Sequence, residues 1–101
     1  MLQTFDPRNA DLLININGRL VHRDSAGISP FDSAVQGGDA VWEGLRLYRG
    51  RIFRLTEHLD RLRGSAVAVA FDTIPSHEEI TRQIDDLRME AARFSVDFQI
   101  K

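Results

Sequence analysis

The stretch Gln36-Gly37-Gly38-Asp39-Ala40-Val41-Trp42-Glu43-Gly44-Leu45-Arg46-Leu47-Tyr48 constrains the fold more than any other part of the sequence. From Val41 to Tyr48 the residues alternate in character, which predicts an extended strand with two unlike faces. Val41, Glu43, Leu45 and Leu47 share one face; Trp42, Gly44, Arg46 and Tyr48 share the other. The first face suits a core, with Glu43 as its one polar intruder. The second joins an indole, a gap without a side chain and a guanidinium. Such a face suits the floor of a pocket for an anion that carries an apolar group.

The residues that follow extend this arrangement. Arg49-Gly50 reads as a tight turn and Arg51-Ile52-Phe53-Arg54 as the returning strand. Leu55, Leu59, Leu62, Ala66 and Val69 recur at steps of three and four, which predicts an amphipathic helix from Thr56 to Ala70 with Thr56 as N-cap. His58, Arg61 and Ser65 then line one flank of its apolar seam, with Asp60 and Gly64 pointing away. An arginine on that flank can reach an anion held between helix and sheet. It can equally pair with Glu57 one turn back, a contact worth only about 0.3–0.5 kcal/mol. Spacing alone favours the pairing with Glu57.

Two segments together carry a family resemblance: Gln36 to Arg46, and Phe53-Arg54-Leu55-Thr56-Glu57-His58-Leu59-Asp60-Arg61-Leu62. In that order they resemble the N-terminal domain of class IV aminotransferases, the fold-type IV pyridoxal-phosphate enzymes. That family includes branched-chain and D-amino-acid aminotransferases and aminodeoxychorismate lyase, and the likeness runs from about Leu12 through most of the chain. It implies that Arg61, in His58-Leu59-Asp60-Arg61, binds the cofactor phosphate. It also implies that Trp42 lines the substrate pocket and that Arg46 helps form its carboxylate side. The lysine that forms the Schiff base, and the carboxylate partner of the pyridine nitrogen, would lie in a C-terminal domain beyond this chain. The implied protein is a homodimer acting on a small amino acid and a 2-oxo acid.

The rest of the sequence fits around this frame. Its 101 residues correspond to one small domain, which the resemblance identifies as the N-terminal domain of a larger, two-domain enzyme. A net charge of −2 gives no general attraction to nucleic acid or to an anionic membrane. The sequence contains no cysteine, which excludes disulfides and thiolate metal sites and suits the cytoplasm. No apolar run reaches membrane-spanning length. The three histidines are scattered and suggest no metal site. Lys101 is the one lysine, and its position after Arg61 is too close for the family's Schiff-base residue, so no catalytic residue is assigned within the chain.

In chain order, Met1 to Asp11 reads as an irregular arm. Leu12–Asn17 and Arg19–His22 read as a hairpin turned at Asn17-Gly18, with His22 at the surface. Asp32 is placed to cap a helical turn over Ser33–Gln36, and Gly37-Gly38 to end it. Ser76 and Glu79 have capping-box spacing, opening a second helix from Ser76 to Arg93 whose buried stripe is Ile80, Ile84, Leu87 and Ala91. Phe94, Val96, Phe98 and Ile100 alternate like a final strand. That segment shows neither the Ile-Arg pair nor the Thr-Arg-Gly turn of the family, as expected of a fragment or of a gene interrupted or diverged near this point.

The expected architecture is α+β: one antiparallel sheet with two helices on one face. The expected function is class IV transamination, nearest the branched-chain type, with the isolated chain inactive. Lyase chemistry on aminodeoxychorismate and a non-catalytic dimerisation or binding remnant are the alternatives.

Overall fold

The computed structural model describes residues 4–94. Within them the chain divides into two compact units, residues 4–27 with 81–94, and residues 28–80. The class is α+β, as expected. Among the described residues, however, the strands form two two-stranded sheets rather than one.

The first unit is built on a hairpin of β1 (Leu13–Ile16) and β2 (Arg19–His22), with Leu13 opposite His22 and Ile16 opposite Arg19. Its register follows from the turn. Asn17 and Gly18 both take positive φ, 54° and 83°, the tight-turn geometry that matches the twist of the flanking strands. The Asn15 Oδ1 accepts the Gly18 N–H at 3.0 Å and holds that turn closed. The arm before β1 contains one 3-10 turn, Pro7–Asn9, capped by Asp6, whose carboxylate also binds Arg8. His22 is half-buried rather than a plain surface residue. Its Nδ1 accepts the Asp24 N–H at 3.1 Å, so Nε2 carries the proton donated to Asp11 at 3.0 Å. Histidine thus serves here as the N-cap of the 3-10 turn Arg23–Ser25.

The second unit carries the remaining elements: α1 (Ser33–Gln36), β3 (Leu47–Tyr48), β4 (Arg51–Ile52), α2 (Leu55–Ala68) and the first turn of α3 (His77–Phe94). Asp32 caps α1 as expected, its Oδ1 accepting the Ala34 N–H at 2.8 Å. The β3–β4 ladder is shorter than the alternation predicts. Arg49 and Gly50 form the expected turn, both at positive φ. After Phe53 has donated to Arg46 O at 2.8 Å, Arg54 adopts a left-handed conformation and turns the backbone into α2. The returning strand therefore ends early, and residues 41–46 stay outside any strand.

Arg54, not Thr56, is the N-cap of α2, and it supplies no side-chain cap. Leu59 and Ala66, 3% and 4% exposed, are the buried apolar residues among those described. Leu55 and Leu62 are half-buried beside them, while Val69 falls at the C-cap and is exposed. Ser76 opens α3 as expected, its Oγ accepting the Glu79 N–H at 3.1 Å and its carbonyl the Ile80 N–H at 3.0 Å. Ile80, Ile84 and Leu87 are half-buried along that helix. Phe94, expected to begin the final strand, instead ends α3, because the helix runs on past Arg93. The rest of that expected strand, from residue 95, and the side chain of Ala91 lie outside the described residues. No helix among those described is long and apolar enough to cross a membrane.

Candidate functional site

Although residues 41–46 pair with no strand, they keep the alternation that the sequence predicts. Val41, Glu43, Leu45 and Leu47 are half-buried, whereas Trp42, Gly44, Arg46 and Tyr48 are exposed. An extended backbone suffices for this, because the two-residue side-chain period belongs to the chain conformation and not to the ladder.

On the half-buried face, Glu43 points towards α2, and two residues one turn apart on that helix meet it. The Arg61 Nε donates to both carboxylate oxygens, at 3.1 and 2.9 Å, and its Nη2 donates to Oε1 at 2.7 Å. The His58 Nδ1 lies 2.6 Å from the same Oε1. A carboxylate oxygen can only accept, so Nδ1 carries the ring proton and donates it. The 3.4 Å approach of Arg61 Nη2 to that nitrogen is then a close passage of two donors, not a hydrogen bond.

Electrostatics follow from this geometry. The Glu43 side chain is only 10% exposed, and a carboxylate so placed needs partners. The hydrogen bonds from Arg61, and secondarily from His58, pull its pKa from the ordinary 4.5 down to about 2. Arg61 in turn is held more firmly protonated by Glu43. Its side chain stays 68% exposed, and among the described residues its Nη1 has no partner. The cluster is thus a carboxylate that grips one edge of a guanidinium and leaves the other outward.

On the exposed face, the Arg46 Nη1 donates to the Tyr48 hydroxyl at 3.3 Å. The indole of Trp42, 83% exposed, leans over Gly44, where a Cβ would sit 3.6 Å from Cζ3. Tyr48 meets Phe53 edge to face at 6.0 Å, and the Arg54 guanidinium stacks on Phe53 at 5.4 Å. This surface offers two cationic groups, a phenol and aromatic faces to a ligand or another chain.

Of the three residues singled out in the sequence, Trp42 and Arg46 therefore share a face, and Arg61 is tied to the opposite one through Glu43. The pairing of Arg61 with Glu57 is not what forms. Glu43 itself was legible only as a polar intruder. The available signal was a lone acid on an apolar face combined with a His-x-x-Arg flank on the following helix. At the start of α3, the buried His77 Nε2 stands 3.5 Å from Asp60 Oδ1 and has no hydrogen-bond partner among the described residues. Among the described residues no group of three His, Asp or Glu side chains could hold a metal ion.

Comparison with known proteins places these residues in context. Residues 40–100 match the family described as amino-transferase class IV. Over 78 residues the sequence is 55% identical to branched-chain-amino-acid aminotransferase-like protein 1 of Arabidopsis thaliana, a match covering 77% of this chain and 14% of that protein. It is 38% identical over 81 residues to a putative branched-chain-amino-acid aminotransferase of Methanocaldococcus jannaschii, covering 74% of this chain and 28% of the relative. A D-alanine aminotransferase of Listeria innocua is 41% identical over 71 residues, 70% of this chain and 24% of its own length. The chain thus spans 14–28% of the length of these relatives.

Proposed function

The chain belongs to the class IV aminotransferases, and from that premise we propose that it is the N-terminal, small domain of a two-domain, pyridoxal-phosphate-dependent transaminase. Its reaction would move an amino group between a branched-chain-like amino acid and a 2-oxo acid, in a homodimer. The observation that carries this reading is the Arg61 guanidinium, gripped by Glu43 along one edge and open along the other.

That donor set fits the phosphate of the cofactor. A fixed planar guanidinium with an unused pair of N–H groups is suited to a phosphate oxygen, and its exposure leaves room for one. When bound, the cofactor would supply an electron sink for the amino acid's α-carbon. Arg61 would hold the phosphate, Glu43 would keep Arg61 in place, Trp42 would present an apolar wall, and Arg46 would attract the substrate carboxylate. The lysine and the ring-nitrogen partner would come from the remainder of the protein, so the 101-residue chain alone should not transaminate.

The branched-chain preference is supported by the 55% identity to a protein named branched-chain-amino-acid aminotransferase-like. A D-amino-acid substrate is the second reading, favoured by the relatives named D-alanine aminotransferase. The test is transamination by the full-length protein, freed of cofactor and then supplied with pyridoxal phosphate, using L-leucine, L-valine and D-alanine in turn. Cofactor-dependent transfer from leucine or valine is the expected result. Transfer from D-alanine alone would move the assignment to the second reading, and transfer from none of them would overturn the proposal.

A further inference from the structure

Glu43 is the most enclosed charged group of the cluster, and its partners sit at sharply different depths. Its side chain is 10% exposed and that of His58 20%, while Arg61 reaches solvent at 68%. The carboxylate accepts one hydrogen bond from His58 Nδ1 at 2.6 Å and binds the Nε and Nη2 groups of Arg61 at 2.7–3.1 Å. An exposed arginine side chain ordinarily samples many rotamers. Bidentate contact with an enclosed carboxylate, itself anchored by His58, removes that freedom and fixes which edge faces outward.

We propose that Glu43 is a positioning residue for the phosphate site: it locks Arg61 by the Nε–Nη2 edge so that the Nη1 edge is presented to the phosphate of the cofactor. This role rests on the assignment of Arg61 made above. Two effects of Glu43 oppose each other. Its negative charge disfavours a nearby phosphate, whereas its grip holds the fork that recognises one. The grip decides the sign, because a guanidinium released from Glu43 would return to solvent, where its charge is screened and its orientation lost.

The full-length protein, freed of cofactor, tests this with two probes that differ only in the phosphate: pyridoxine 5′-phosphate and pyridoxine. Neither has an aldehyde, so lysines do not react with them. The parent protein should bind the phosphorylated probe more tightly. Glu43→Gln should weaken that binding about tenfold, the scale of one lost charge-assisted contact, with pyridoxine affinity unchanged. Glu43→Asp, which keeps the charge on a shorter stem, should lose part of the discrimination; it also decides the matter if the Gln variant does not fold. In an Arg61→Ala background, Glu43→Gln should have no further effect. Equal losses for both probes, unchanged affinities, or tighter phosphate binding in Glu43→Gln would overturn the positioning role. If Arg61→Ala abolishes discrimination while both Glu43 variants keep it, the positioning role alone fails. If Arg61→Ala itself keeps discrimination, the phosphate assignment of Arg61 fails and the role of Glu43 goes with it.

Discussion

Glu43 and Arg61, eighteen positions apart, are joined by three hydrogen bonds of 2.7–3.1 Å that tie an extended segment to the second turn of α2. The contact is local in space but not in sequence, and it links the two segments that define the family motif. It also means that a residue proposed to bind a cofactor is part of what fixes the fold around it.

Acid should act on this contact in a narrow window. The Glu43 pKa is depressed from 4.5 to about 2, chiefly by Arg61. A depressed carboxylate contributes stability that is fully present above its unfolded pKa and is lost as pH falls through the folded one. The difference in thermal midpoint between the parent chain and Glu43→Gln should therefore be constant down to about pH 4.5, then shrink towards pH 2. A difference that stays constant to pH 2 would show that the carboxylate charge is not what Arg61 holds.

The two faces of the 41–48 segment should separate kinetically in the full-length enzyme. Arg46 pairs with Tyr48 on the exposed face, and no contact joins it to Arg61 among the described residues. Arg46→Ala should raise KM for the amino acid roughly ten- to a hundredfold, the worth of one charge-assisted hydrogen bond, while leaving cofactor affinity unchanged. Arg61→Ala should do the reverse. Steady-state kinetics beside a cofactor titration gives both numbers, and a joint effect of either variant would mean that the two arginines do not divide substrate and cofactor between them.

Much of this arrangement was readable from residue order, and the reasons differ by element. Asn17-Gly18, Asp32 and Ser76 announce their roles because turn geometry and capping depend on a few adjacent atoms. The alternation of 41–48 was equally legible, since burial follows the two-residue period whether or not a ladder forms. The length of β4 was not, because it depends on Arg54 entering a left-handed conformation that no local preference of arginine signals. The partner of Arg61 was missed for a different reason. Glu57 lies within helical reach, but Glu43 offers a less exposed carboxylate, where an ion pair is screened less by solvent.

The C-terminus of α2 contains a correctable strain. The Phe71 N–H bonds to Ala66 O at 3.1 Å and the Ala70 N–H to Val67 O at 3.0 Å, the paired closure in which glycine usually occupies the left-handed position. Here that position is Ala70, at φ 60°. Replacing it with glycine relieves a Cβ clash worth about 1–2 kcal/mol. The added freedom of the unfolded chain takes back about 0.4–1 kcal/mol. Ala70→Gly should thus stabilise the chain by roughly 0.5–1 kcal/mol, raising its thermal midpoint by a few degrees. A lower midpoint would mean that the closure does not persist in solution.

The 101-residue chain on its own should self-associate, and Trp42 should report it. Trp42 is the single tryptophan, so its fluorescence belongs to one site. It is 83% exposed, on the same face as Tyr48, and Phe31 and Phe53 are further exposed aromatics of the same unit. Large apolar side chains exposed in this way favour contact with another surface. Residues 41–46 add backbone that lies outside any strand, which leaves it free of a ladder partner for pairing with a second chain. Raising the concentration should increase the mass seen by light scattering and shift the Trp42 emission to the blue as the indole leaves water. Trp42→Ser should lower the mass at a given concentration. A constant monomer mass with no spectral shift across the series would show that this face is not adhesive by itself, and that its exposed aromatics serve a small ligand rather than a protein surface.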